Sequence, residues 1–114
     1  MRNAREYLLD ILEAIQRIEK YTDKGRKLFD TDELVQTWVI RHLQIIGEAA
    51  RKLPVEVKEK HPAVPWAKII GMRHILTNHY FEIDEDAVWA AVEKHLPELK
   101  RQVEAILEHP TTDH

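Results

Sequence analysis

Apolar residues recur along this chain at steps of three and four, and that period narrows the possible folds more than any other feature. Tyr7, Leu8, Ile11, Leu12, Ile15, Ile18 and Tyr21 mark one stripe between residues 3 and 21. Leu34/Val35, Trp38/Val39, Leu43, Ile46, Ala50 and Leu53 mark a second. Side chains three and four apart share one face of an α-helix, so each stripe predicts an amphipathic helix with a face to bury. The competing signal for sheet is missing. Three glycines and two asparagines cannot supply the special-φ residues that the turns of an all-β domain require.

Punctuation residues divide the helical pattern. Thr22–Asp30, with Asp23, Lys24, Gly25, Arg26 and Lys27, reads as a polar loop. Asp30 with Glu33 resembles a capping box opening a helix from about Thr31 to Leu53, which Pro54 stops. Residues 54–65 hold three prolines and read as a loop with one helical turn. Pro65 suits the first position of a third helix running through Tyr80, and Asp84 suits the N-cap of a fourth. Pro97 is expected to kink or break that last helix, with ELKRQVEAILEH helical again beyond it. The expected architecture is an all-α, antiparallel bundle of four to five helices, one domain over residues 1–109 with a flexible tail at 110–114. Three tryptophans offer large apolar surfaces, part of which could close a dimer.

Composition removes several functions. No cysteine is present among the 114 residues, which excludes disulfides, thiolate zinc sites and cysteine nucleophiles. No glycine loop of the phosphate-cradling kind occurs. No apolar run reaches the roughly 18 residues of a membrane helix, and the charged start MRNAREYLLD lacks the apolar stretch of a signal peptide. A soluble, cytoplasmic protein is expected. The net charge of −3 argues against an electrostatically driven duplex-DNA binder.

The local charge pattern is more informative than the total. Segment 67–81 carries Lys68, Arg73, His74 and His79 but no acid, in a chain with 20 acidic residues. A second basic cluster, Arg17, Lys20, Lys24, Arg26 and Lys27, lies near the first loop. On a helical wheel at about 100° per residue, Arg73, His74, Thr77, Asn78 and Tyr80 share a polar face, while His79 points with Ile69, Met72, Ile75 and Leu76. Other histidines carry plainer readings. His61, His109 and His114 are solvated, His95 suits a helix C-terminus, and His42 belongs to the core or a dimer face. No metal-ligand spacing is found, and no cofactor is expected. Glu48 lies beside the small residues Gly47, Ala49 and Ala50, which permit a close helix crossing. There it is either an exposed charge or a carboxylate that orients Arg73 or a histidine.

HLQIIGEAARKLP (42–54) followed by HPAVPWAKIIGMRHILTNHYFEID (61–84) closely resembles the HepT-like toxins of the HEPN superfamily. The resemblance covers about half the chain in detail, through IGEA, PW, GMR and YF-x-ID. It implies a homodimeric helical bundle in which two R-x4-H-x-Y motifs face a shared cleft. It also implies a metal-independent ribonuclease acting as the toxin of a toxin–antitoxin module. The implied partners are RNA and an MNT-type nucleotidyltransferase antitoxin, able in some systems to adenylylate the motif tyrosine. The motif arginine falls on Arg73 and the tyrosine on Tyr80, with Phe81, Ile83 and Asp84 matching the end of the motif. The histidine slot falls on Asn78, and histidines stand at 74 and 79 instead. Arg73–His79 satisfies a longer spacing that the superfamily tolerates. Tyr80 keeps its register, however, only if 78 is the histidine slot. Asparagine donates and accepts hydrogen bonds but cannot exchange a proton near neutral pH, so binding with weak or absent cleavage is expected, from a natural or an introduced change. The alternative is a non-catalytic module that binds a nucleotide or docks the nucleotidyltransferase.

Overall fold

The computed structural model describes residues 2–77 and 84–108, and all their regular structure is helical. α1 spans Ala4–Thr22. Its start is fixed by a reciprocal cap: the Asn3 side chain accepts from the Glu6 amide at 3.0 Å, and the Glu6 carboxylate accepts from the Asn3 amide at 3.0 Å. Leu8, Ile11, Ile15 and Ile18 form its buried face, while Tyr7, Leu12 and Tyr21 flank that face half-buried.

The predicted polar loop at 22–30 is corrected by a short helix, α2, at Arg26–Thr31. Gly25 permits the abrupt turn into it, at a φ of +114° that an L side chain rarely adopts. The charges of this stretch hid its anchor. Phe29 is fully buried against the Trp89 ring, with centroids 5.7 Å apart. The expected cap at Asp30 is corrected too. Asp32 caps α3 (Glu33–Lys52), accepting from the amides of Leu34 at 2.9 Å and Val35 at 3.3 Å. Asp30 instead pairs with Arg26 at 3.0 Å.

Leu53 leaves α3 extended ahead of Pro54, and α4 follows at Val55–Lys60. Lys58 reaches back to the carbonyls of Ala50 and Arg51 at 3.3 and 3.4 Å, satisfying the open end of α3. α5 occupies Trp66–Thr77. Asp84 caps α6 (Glu85–Ala90) by accepting from the Ala87 amide at 3.0 Å, as expected. Pro97 does not break the last helix. A π turn at Ala91–His95 joins α6 directly to α7, Leu96–Glu108. The widened turn sits just ahead of the proline, where the missing N–H and the ring would otherwise disturb an α-helical ladder.

α3 lies between α1 and α5, and α7 packs on α1. The helices run antiparallel. Trp38 near the start of α3 donates to the Arg17 carbonyl near the end of α1 at 2.8 Å, and Gln36 meets Glu85 beyond the far end of α5 at 3.2 Å. Val39, Leu43 and Ile46 of α3 join Ile11, Ile15 and Val103 in the fully buried centre. His42 takes the core reading, buried, its Nδ1 on the Trp38 carbonyl at 2.7 Å and its ring 4.4 Å from the indole. Of the tryptophans, Trp66 and Trp89 are buried and Trp38 is half-buried against Tyr21.

Candidate functional site

The site begins with a missing side chain. A Cβ at Gly47 would lie 3.0 Å from the Ile69 carbonyl oxygen and 3.2 Å from the Arg73 amide nitrogen. Both are backbone atoms, so α3 and α5 cross this closely only because residue 47 has no side chain. The crossing sets Arg73 against the neighbour of that glycine. Arg73 Nη1 donates to Glu48 Oε1 at 3.3 Å, with both side chains about a third exposed. The same carboxylate accepts from Arg51 at 2.6 Å and lies 3.8 Å from Lys52. The hydrogen bond from Arg51, aided by the charges of Arg51, Arg73 and Lys52, holds the Glu48 carboxyl below the usual carboxylate range against the opposing effect of burial. Glu48 is therefore an anion at neutral pH, aimed at the guanidinium.

Arg73 and Glu48 open into a groove of about 400 Å³ between α1, α3 and α5. Tyr7 and Asp10 of α1 form one wall, and Arg41, Gln44 and Lys52 of α3 the other. Arg2 closes an end, paired with Asp10 and stacked 5.0 Å from the centre of the Tyr7 ring.

The expected cationic strip divides along α5. Arg73 faces this groove, whereas Lys68 lines a largely apolar cavity of about 610 Å³ on another side, with Ile69, Met72, the π turn and α7. His95 lines that cavity as well. The second basic cluster does not join the Arg73 groove. Arg17 pairs with Glu13 at 3.1 Å, and Arg26 is held by Asp30 and by Asp86 at 2.6 Å. His74 and Thr77 belong to α5. Their side chains, together with Asn78, His79, Tyr80 and the tail from residue 109, lie outside the described residues. Among the described residues no three histidine, aspartate or glutamate side chains converge to hold a metal ion, and no helix is long and apolar enough to cross a membrane.

Sequence reasoning found Arg73, Glu48 and Gly47 but missed Arg41, Gln44, Tyr7 and Lys52. A signal was present: Arg41, Glu48 and Lys52 are seven and four residues apart, one polar line along α3.

Arg73, Glu48 and the α3 wall of the groove lie inside the region matched by the family model described as "Ribonuclease HepT-like", residues 11–106, whereas Arg2, Tyr7 and Asp10 precede it. The chain belongs to the HepT-like ribonuclease family. A "Gamma-glutamylcyclotransferase and putative RNase" of Methanocaldococcus jannaschii is 42% identical over 108 residues, 94% of this chain and 49% of that protein, so the chain spans about half its length. A "Putative RNase" of the same organism is 37% identical over 106 residues, covering 92% of this chain and 97% of the relative. The "Probable ribonuclease HepT" of Thermococcus cleftensis is 38% identical over 109 residues, covering 92% and 96%. No solved structure matches the chain significantly. HepT-like membership agrees with the all-helical architecture of the described residues.

Proposed function

We propose that this HepT-like chain is an endoribonuclease and the toxin of a toxin–antitoxin module, cleaving RNA in a cleft that two subunits build. The observation that carries this reading is Arg73, held by Glu48 at a crossing that only glycine allows and opening into a groove with an excess of basic side chains. Cleavage at the 2′-hydroxyl needs a base for the hydroxyl proton, a cation for the phosphorane and an acid for the departing 5′-oxygen. Arg73 supplies the cation, since its planar fork binds two phosphate oxygens and keeps its charge. Glu48 is a positioning residue that fixes the direction of that fork. Tyr80 contacts the substrate and is the acceptor for an adenylyl group from an MNT-type nucleotidyltransferase antitoxin. His74, His79 and Thr77 stand near the same end of α5 in sequence. The product is a 2′,3′-cyclic phosphate, and the proton steps need no metal.

Asn78 occupies the slot where the family motif has histidine. Losing one general acid–base group costs about 10²–10⁴-fold, so RNA binding with weak cleavage is expected. Asn78→His should raise the initial rate on single-stranded RNA by about that factor, and adding Arg73→Ala should abolish the gain. An unchanged rate in Asn78→His would refute the slot assignment. Loss of residual activity in His79→Ala would instead select the longer spacing. Incubation with the antitoxin and ATP, followed by intact mass, tests Tyr80. A neutralised toxin of unchanged mass removes modification from the scheme.

The asparagine favours a second reading, in which the chain binds a nucleotide or docks the nucleotidyltransferase without chemistry. That reading expects no cleavage even after Asn78→His.

A further inference from the structure

We propose that Arg41 and Gln44 of α3 form a nucleotide subsite for single-stranded RNA, Arg41 taking the phosphate and Gln44 the base edge of a nucleotide beside the linkage held at Arg73. The proposal rests on the ribonuclease reading above and extends it to residues that the motif does not contain.

Placement comes first. Arg41 and Glu48 are two helical turns apart on one face of α3, about 10.5 Å along the axis at about 1.5 Å per residue. Both line the groove that also receives Arg73, so a strand whose scissile phosphate meets Arg73 has its neighbouring nucleotide over Arg41 and Gln44. Charge agrees. Arg2, Arg41, Lys52 and Arg73 line the groove against Asp10 and Glu48, four cations to two anions, in a chain whose net charge is −3.

Availability separates these two side chains from the rest. Asp10 is taken by Arg2, and Glu48 is shared among three cations. Arg41 and Gln44 make no hydrogen bond or ion pair among the described residues, although both line the groove. An uncommitted guanidinium beside an uncommitted carboxamide suits a nucleotide. The first binds two phosphate oxygens, and the second both donates to and accepts from a base edge. Single-stranded RNA exposes both groups at once.

The test measures fluorescence anisotropy of the full chain with a short single-stranded 2′-O-methyl RNA, which cannot be cleaved, over a range of salt. Arg41→Ala is expected to weaken binding about tenfold or more and to lower the log–log salt slope by about 0.7, one phosphate's share. Arg41→Lys should recover the slope. Gln44→Ala should leave the slope unchanged and flatten the ranking of the four homopolymers. Full affinity and slope in Arg41→Ala, with binding weakened by Arg73→Ala, would overturn the subsite and leave the ribonuclease reading standing. Full affinity in both variants would overturn both. Weaker binding accompanied by a changed elution volume in gel filtration would assign Arg41 to a contact between protein subunits and also overturn the proposal.

Discussion

α5 has two flanks that solve different problems. On one, Gly47 brings backbone against backbone and Arg73 emerges beside Glu48 into a polar groove. On the other, Ile69 and Met72 face the π turn and α7 across an apolar cavity. The first flank has close contact and charge where a stable core would place a larger side chain. The second supplies apolar burial and has no described pair of opposite charges at its centre. A helix serving both cannot carry a single apolar stripe, and the run WAKIIGMRHILT indeed has apolar residues around much of its circumference. Affinity for RNA should therefore depend on the first flank, and most of the stability on the second.

Four substitutions test this division. Leu99→Ala, buried beside the apolar cavity, should cost about 2–5 kcal/mol in urea unfolding, yet leave RNA affinity under native conditions unchanged. A comparable loss of affinity would show that the flanks are not separable. Gly47→Ala presses a methyl onto the Ile69 carbonyl and should cost about 1–3 kcal/mol, with RNA binding falling together with the melting temperature. If binding survives intact, the closeness of the crossing does not position Arg73. Glu48→Gln should shift stability by only about 0–1 kcal/mol, because the pair is partly exposed, while slowing cleavage in an Asn78→His background. Lys68→Ala should stay within about 0.5 kcal/mol of the parent in stability and bind RNA equally well. Weaker binding there would restore a continuous cationic strip.

The pH dependence sharpens the Glu48 test. Its carboxyl titrates below the ordinary value, so its pairing stabilises the fold above about pH 4.3, the usual unfolded value. That contribution is lost as the pH falls through the lower folded value. Urea midpoints of the parent and Glu48→Gln should thus differ by a constant amount between pH 7 and 5 and converge in stronger acid. Convergence already near pH 6 would mean that Glu48 is not held as an anion by its neighbours.

What the sequence revealed follows the range of the forces involved. The stripes of α1 and α3, the stop at Pro54 and the cap at Asp84 are local, and local spacing exposes them. The IGEA segment showed that small residues permit a close crossing there but left Glu48 open between an exposed charge and a partner for Arg73. The choice depends on which helix crosses at Gly47, and that is a long-range contact. α2 was hidden because four polar residues, Arg26, Lys27, Asp30 and Thr31, surround its buried anchor, Phe29, whose partner Trp89 lies sixty residues away. The groove was hidden for the same reason. Tyr7 and Arg41 meet only when α1 and α3 lie antiparallel, and no period in either helix announces that.

The π turn ahead of Pro97 also sets the angular phase of everything downstream. It accommodates one residue more than an α turn would, and each residue turns a helix by about 100°. α6 can thereby point Trp89 at Phe29 while α7 points Leu99 and Val103 into the bundle. Deleting one residue from Ala91–His95 would straighten the rod and rotate its final turns out of mesh, so the surplus residue works as a gear tooth between two parts of one shaft.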